Sequence, residues 1–248
     1  MPKNRPAPRA ASAVALGLIG TGVVLGGLYA LYAAGAPRYR GMVCAHRADR
    51  EDEHIVGVGV CLTTDYITKG GERVLTAFFI YELVKGEGHV WGLPHGGRTA
   101  RTDGSPARKA SEELDEELHV PIKESRIGDP THFCRVDVRS GRSSHMALYV
   151  SRRPGEGNCS ELTRDEFAKR KAADWHKGYA FREAEKMTHV PIQSMLSAKD
   201  GVCLDIYGNE LKLRRLLFDK LLPDANFRET LQRALDSYNE YTRSKARP

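Results

Sequence analysis

A chain of 248 residues, of which 41% are hydrophobic and 28% are charged, has the composition of a folded globular protein, which excludes a largely disordered one. The formal net charge of +6 suits partners that carry phosphate but does not require nucleic acid. Five widely spaced cysteines with no Cys-x-x-Cys pair argue against a disulfide framework and against a zinc site. We interpret them as reduced thiols: Cys44, Cys61, Cys134, Cys159 and Cys203.

The N-terminal region contains a long segment without charge. Residues 1–10 form a basic tail, and residues 11–36 contain no acidic or basic side chain. As a helix, the uncharged segment would rise roughly 39 Å at about 1.5 Å per residue, enough to cross a hydrocarbon core of about 30 Å. We predict a single-pass transmembrane anchor, with a cleaved signal peptide and a buried core helix as the alternatives.

Two features of this segment bear on assembly and topology. Gly22 and Gly26 have the Gly-x-x-x-Gly spacing that lets two helices approach closely, so they predict a homodimer unless the spacing arose by chance. Basic residues flank the segment on both sides, with a slight excess after it. That excess, together with the thiols, predicts a cytosolic main domain. Residues 37–54 are charged and poor in apolar side chains, which predicts a juxtamembrane linker.

Residues 55–248 are predicted to form one mixed α/β domain. Alternating apolar and β-branched residues predict strands at residues 55–62, 73–83, 90–91, 131–138, 145–151 and 190–192. A tight loop is predicted at residues 92–97, and a helix begins at Pro106, with Ser105 as its cap, and ends before Pro121. Further helices are predicted near residues 166–175, inside a polar insertion at 152–186, and near residues 210–222 and 227–242.

The helix after Pro106 carries an unusual set of carboxylates. At 100° per residue, its alanines and leucines form one apolar stripe, and Glu113, Glu116 and Glu117 form a compact arc beside it, whereas Glu112 and Asp115 point away. Three neighbouring carboxylates repel one another unless a cation lies among them. Hard oxygen ligands of this kind suit Mg²⁺ or Mn²⁺. A solvated acidic face is the commoner meaning of such a helix when it stands alone.

The surrounding sequence changes that interpretation. A strand, then Leu93-Pro94-x-Gly96-Gly97, a spacer and Glu113-x-x-Glu116-Glu117 on a helix resemble the box of the Nudix hydrolase family, in degenerate form over residues 93–120. The resemblance implies a Nudix-type α/β/α sandwich. It also implies a pyrophosphohydrolase that cleaves a diphosphate linkage in a nucleotide-like substrate, a nucleoside diphosphate joined to another moiety.

The resemblance also assigns roles to residues. It implies that Glu113, Glu116 and Glu117 are catalytic and bind Mg²⁺ or Mn²⁺, with the carbonyl of Gly97 as a further ligand. Gly96 and Gly97 are predicted to let the backbone reach the diphosphate without a side chain in the way. His95 could contact phosphate, although a histidine in a loop more often has no role beyond being a polar surface residue. The general base is predicted to be Glu116 or Glu117, or, from a later loop, Glu183 or Glu185.

Three positions depart from the family pattern. Gly104 replaces a glutamate, Glu112 replaces the arginine that orients a catalytic glutamate, and His119 replaces a glycine. They leave open an alternative function as a catalytically weak nucleotide-sensing or scaffold module. Capped RNA is an alternative substrate, because the polar insertion and the basic balance of the chain also fit an RNA-cap hydrolase. Residues 169–171 with Trp175 could contact RNA, but a solvated basic face is the favoured interpretation of that run.

Overall fold

The computed structural model describes residues 52–246. The predicted basic tail, the uncharged segment with Gly22 and Gly26, Cys44 and most of the predicted linker lie outside the described residues. Their predicted roles in anchoring and dimerisation therefore stay predictions. Within residues 52–246, no helix is both long enough and apolar enough to span a bilayer.

The described domain alternates short strands and helices. Its strands are β1 (Ile55–Cys61), β2 (Thr63–Ile67), β3 (Arg73–Val84), β4 (Gly88–Gly92), β5 (His95–Gly97), β6 (Phe133–Arg139), β7 (His145–Ser151), β8 (Lys186–Pro191), β9 (Val202–Leu204) and β10 (Glu210–Lys212). Its α-helices are α1 (Pro106–Leu118), α2 (Glu124–Ile127), α3 (Arg164–Asp174), α4 (Ile192–Leu196) and α5 (Ala225–Ala246). Most of the predicted elements are present within a few residues of their expected bounds.

Two four-stranded sheets form the centre of the domain. In the first, the order is β5-β1-β7-β6, with β1 and β7 parallel and the other pairs antiparallel. In the second, β3 pairs antiparallel with β2, β4 and β8. A small hairpin of β9 and β10 completes the strands.

Helices cover these sheets on two faces. Along β7, Ala147 and Tyr149 join a buried core that includes Leu114 of α1, whereas Leu148 joins a second core that includes Leu231 of α5. This alternation is the period of two that a strand imposes when both of its faces are buried. The predicted mixed α/β architecture is confirmed for the described residues.

Residues 92–97 do not form the simple loop that the sequence predicts. His95–Gly97 instead pairs with β1, where Gly97 lies opposite Gly57 and His95 lies opposite Gly59. A Cβ at Gly57 would lie 3.3 Å from the carbonyl oxygen of Gly96, so glycine lets the two backbones approach closely. Strand β2 was not predicted; it follows β1 after a single residue, Leu62.

The region after residue 186 differs from the prediction. The predicted last strand begins earlier, at Lys186, and Ile192 belongs to α4 instead. The helix predicted near 210–222 is wrong at its start, because Glu210–Lys212 is a strand paired with β9. Within that range, Leu216–Leu221 is helical, as a short π-helix. The Asp205 carboxylate accepts hydrogen bonds from the backbone N–H groups of Tyr207 and Asn209, and these bonds close the turn that joins the two strands.

Candidate active site

Local sequence signals set the bounds of α1. The Ser105 hydroxyl accepts a hydrogen bond from the backbone N–H of Arg108 at 3.0 Å, and Pro106 occupies the first turn. At the other end, His119 adopts a left-handed conformation with φ of 55°. A histidine tolerates that conformation better than a β-branched residue does. Both predicted ends of the helix are therefore confirmed.

The helix presents Glu113, Glu116 and Glu117 on the side that helical periodicity predicts, next to the apolar stripe. Leu114 is fully buried, and the neighbouring Glu113 and Glu117 are only 6% and 3% exposed. Glu116 is half-buried beside them. Glu112 keeps 39% of its side chain exposed and pairs with Arg108 at 3.2 Å. Glu112 and Glu113 are adjacent and chemically identical, yet Glu113 is buried at the site and Glu112 is exposed in an ion pair.

The glycine loop holds the two buried carboxylates. The backbone N–H of His95 donates to Oε2 of Glu117 at 2.8 Å. A Cβ added at Gly96 would overlap the carboxylate of Glu113, whereas a Cβ at Gly97 would meet no atom within 4 Å. Gly96 is therefore required for the close approach of Glu113, whereas the space beside the α-carbon of Gly97 is open.

The His95 ring has a different position from the predicted phosphate contact. Its Nδ1 lies 2.9 Å from the carbonyl oxygen of Leu93 and 3.9 Å from Oε1 of Glu82. Burial, with a contribution from the charge of Arg214, lowers the pKa of His95 to about 3, so the ring is neutral at pH 7. The ring therefore contacts the loop carbonyl and Glu82, whereas the backbone N–H of His95 is the group that contacts Glu117.

Glu82 is a residue of the site that sequence reasoning missed. It lies on β3, is 8% exposed, and brings an oxygen within 4.8 Å of ligand atoms of both His95 and Glu117. Arg214 pairs with it at 2.8 Å. The only sequence signal was a single carboxylate inside an otherwise apolar strand, because its neighbours in space are distant in the chain.

Burial and mutual repulsion destabilise the charged forms of these carboxylates, and a bound cation would offset that cost. Burial raises the pKa of Glu117 well above its usual range, and the charges of Glu113 and Glu82 raise it further. Burial also raises the pKa of Glu113 and of Glu116. Lys109 lies 2.7 Å from Glu113 and supplies one positive charge. In the described part of the chain, four carboxylates that face only two cationic partners, Lys109 and Arg214, fit a hard divalent metal ion.

The two later glutamates have different positions. Glu183 is exposed, and its charge raises the pKa of Glu82, Glu113, Glu116 and Glu117. Its carboxylate therefore lies near the site. Glu185 instead pairs with His89 at 3.0 Å. Of the two predicted bases outside the helix, Glu183 is therefore the one within electrostatic reach of all three helix glutamates.

A strand and a glycine loop lie against a helix that carries all three glutamates, and the loop contacts two of them, Glu113 and Glu117. This is the arrangement that the resemblance implies. The motif is Nudix-like. No family model matches the chain, and no curated protein matches it. Three solved structures are similar to it, at 12–16% identity and with TM-scores of 0.35–0.41.

The three structures carry Nudix descriptions. The NUDIX domain of NrtR from Shewanella oneidensis, complexed with ADP ribose, is 16% identical over 62% of this chain and 80% of its own, with a TM-score of 0.35. A MutT/nudix family protein from Enterococcus faecalis is 12% identical over 82% of this chain and 72% of its own, with a TM-score of 0.41. The Nudix hydrolase RenU from M. smegmatis is 13% identical over 82% of this chain and 96% of its own, with a TM-score of 0.35.

The two glycines of the loop provide a matched pair of variants. Gly96→Ala should weaken Mn²⁺ binding by roughly tenfold or more, the scale on which supporting residues act at metal sites, because its Cβ displaces the Glu113 carboxylate. Gly97→Ala keeps its carbonyl and meets no neighbour, so its loss should be clearly smaller. Mn²⁺ titration followed by electron paramagnetic resonance measures both. Equal losses would mean that Gly96 does not position Glu113.

Proposed function

We propose that the chain is a membrane-anchored, divalent-metal-dependent hydrolase of a diphosphate linkage in a nucleotide-like substrate. The substrate class is a nucleoside diphosphate joined to another moiety. One observation carries the proposal: the glycine loop holds Glu113 and Glu117 in a buried position beside the more exposed Glu116. Placing repelling carboxylates in a low-dielectric position is costly, and such sites are commonly functional.

The residues that would hold Mg²⁺ or Mn²⁺ are Glu113, Glu116 and Glu117, with the Gly97 carbonyl as a further candidate ligand. When bound, the metal supplies Lewis acidity toward phosphate oxygens and lowers the pKa of a bound water. The His95 N–H holds Glu117 by a hydrogen bond to one carboxylate oxygen. Gly96 leaves the space that the Glu113 carboxylate occupies.

Glu183 is the base that exposure and electrostatic reach favour, with Glu116 and Glu117 as the other candidates. Its carboxylate is exposed and lies close enough to the three helix glutamates to raise their pKa values. It would accept a proton from water as the water oxygen forms a bond to phosphorus. The bond from that phosphorus to the bridging oxygen breaks, and two phosphate products leave.

The membrane part of the proposal rests on residues 11–36, which carry no charge and have the length of a bilayer span. With the main domain on the cytosolic side, the anchor would fix the site near the membrane surface. Membranes that contain the full-length chain test this part. The chain should stay in the pellet after an alkaline wash, and its release into the supernatant would contradict the anchor.

The hydrolase proposal is tested with the full-length chain and a panel of substrates. A nucleotide sugar, a dinucleoside polyphosphate and a capped RNA are each incubated with Mg²⁺ or Mn²⁺, and phosphate-containing products are separated by chromatography. We expect metal-dependent cleavage of at least one substrate, and Glu117→Gln, prepared in the same way, controls for contaminating enzymes. Saturable binding without cleavage would support the nucleotide-sensing alternative, which Glu112 in the place of the family's arginine motivates.

A further inference from the structure

A segment outside the Nudix-like motif lies along the glutamate helix. We name residues 174–183 the strap. At its start, Asp174 lies 3.0 Å from Nδ1 of His119, the residue that ends α1. Near its other end, the turn Ala180–Arg182 packs on α1, and Glu183 lies near the site carboxylates. Both ends of the strap are therefore fixed beside the proposed catalytic groups.

His119 connects the strap to the motif. Its side chain is buried, with the rings of Phe167 and Phe181 at 5.5 Å and 6.1 Å. Arg170 also donates a hydrogen bond to the His119 carbonyl at 3.3 Å. A glycine at this position could make none of the side-chain contacts. The departure from the family pattern at residue 119 thus coincides with a contact between the helix and the strap.

The strap exposes aromatic rings supported by cations. Trp175 is 60% exposed and Tyr179 is 74% exposed. The guanidinium of Arg182 lies 4.7 Å from the centre of the Trp175 ring, and Lys177 lies 4.8 Å from the centre of the Phe181 ring. Exposing large aromatic surface costs free energy unless a ligand covers it. Rings backed by cations are a common surface for stacking planar bases that carry phosphate.

The neighbouring basic run does not offer a matching surface for RNA. Arg170 is bonded to Glu166 at 2.8 Å as well as to the His119 carbonyl. The Lys171 ammonium donates to the carbonyl of Ala184 at 2.6 Å. Two of the three basic side chains at residues 169–171 therefore hold the fold together. These contacts favour a small nucleotide over a polynucleotide as the occupant of the strap.

We propose that the strap binds the nucleoside part of the substrate, with the base stacked on the ring of Trp175 and Arg182 supporting that ring. The proposal rests on the function proposed above, because the diphosphate must lie at the glutamates for the base to reach the strap. It makes the strap a specificity-determining element for substrates that contain an aromatic base.

The test compares ADP with inorganic diphosphate, each titrated into the full-length chain with Mn²⁺ present. Trp175→Ala should weaken ADP binding roughly 10- to 100-fold, the range of base–aromatic stacking, and leave diphosphate binding unchanged. Trp175→Phe should recover most of the loss. Tyr207→Ala is the matched control, because Tyr207 is also an exposed ring paired with a cation, Arg164 at 4.1 Å, and it should bind ADP normally.

Fluorescence gives a second readout. The chain has two tryptophans, so in a Trp91→Phe background the signal reports Trp175, and ADP but not diphosphate should quench it. Equal losses of ADP and diphosphate affinity in Trp175→Ala, or no loss of either, would overturn the proposal. Loss of RNA binding with normal ADP binding would also overturn it. ADP binding that depends on Trp175 without any hydrolysis would uphold it and contradict the hydrolase proposal alone.

Discussion

Replacing Glu117 with glutamine is expected to lower turnover of every active substrate by at least about two orders of magnitude, the scale of lost metal or base catalysis. The side chain is 3% exposed and accepts a hydrogen bond from the His95 N–H. An amide oxygen can still accept that bond, and the side chain keeps its size. The negative charge is the property that is lost. A normal rate in Glu117→Gln would show that the proposed metal site is wrong.

The thermal stability of the same variant shows whether a loss of turnover comes from a lost catalytic group or from unfolding. Burial and the charges of Glu113 and Glu82 raise the pKa of Glu117 in the folded protein, so the folded state binds the proton more tightly than the unfolded state does. The free energy of unfolding must then fall as pH rises above the usual glutamate pKa. With EDTA present, Glu117→Gln should unfold at a higher temperature than the parent chain at pH 8, and the gap should close near pH 4. A variant less stable at both pH values would indicate a structural role.

The second large effect is expected at Glu113, with Glu112 as its matched control. Glu113→Gln should weaken Mn²⁺ binding by at least roughly tenfold, since loss of a ligand should exceed the smallest losses seen for supporting residues. Glu113 is 6% exposed and lies against Gly96. Glu112 pairs with the exposed Arg108, and exposed ion pairs contribute little. Glu112→Gln should therefore bind Mn²⁺ within about twofold of the parent chain.

Titration of Mn²⁺ into purified Glu113→Gln and Glu112→Gln shows which of the two residues the helix presents to the metal site. Lys109 contacts both carboxylates, at 2.7 Å from Glu113 and 3.7 Å from Glu112, so neither substitution leaves its ammonium without an acidic neighbour. A change in the position of Lys109 alone cannot explain a large difference between the two. Equal losses would mean that Glu113 is not a ligand.

The glutamate helix could be predicted from sequence because its signals are local. Ser105, Pro106 and the apolar repeat predict its start and its phase, and Pro121 predicts that it ends before that residue, as observed at Leu118. Helical periodicity then places Glu113 and Glu117 at the edge of the core without knowledge of any other element. The pairing of β6 and β7 was predictable for the same reason, since both strands alternate and a short turn joins them.

The rest of the site depends on contacts between distant parts of the chain. Glu82 and Arg214 approach only because β3, the glycine loop and the residues after β10 meet in space. The role of His119 depends on Asp174, and no local pattern connects those two residues. Strand β5 is three residues long, and its glycines carry no β-propensity. Its pairing with β1 follows from the space that Gly57 leaves.

That pairing has a thermodynamic consequence. Hydrogen bonds clamp the glycine loop on both sides, from Val60 N–H to the Pro94 carbonyl and from Arg98 N–H to the Val56 carbonyl. Ordering a residue's backbone costs roughly 1–2 kcal/mol, and for His95–Gly97 this entropy is lost when the chain folds. Binding a ligand there therefore requires little further loss of backbone entropy, and more of the interaction energy remains as affinity. The backbone of the glycine loop is therefore already ordered before a ligand binds.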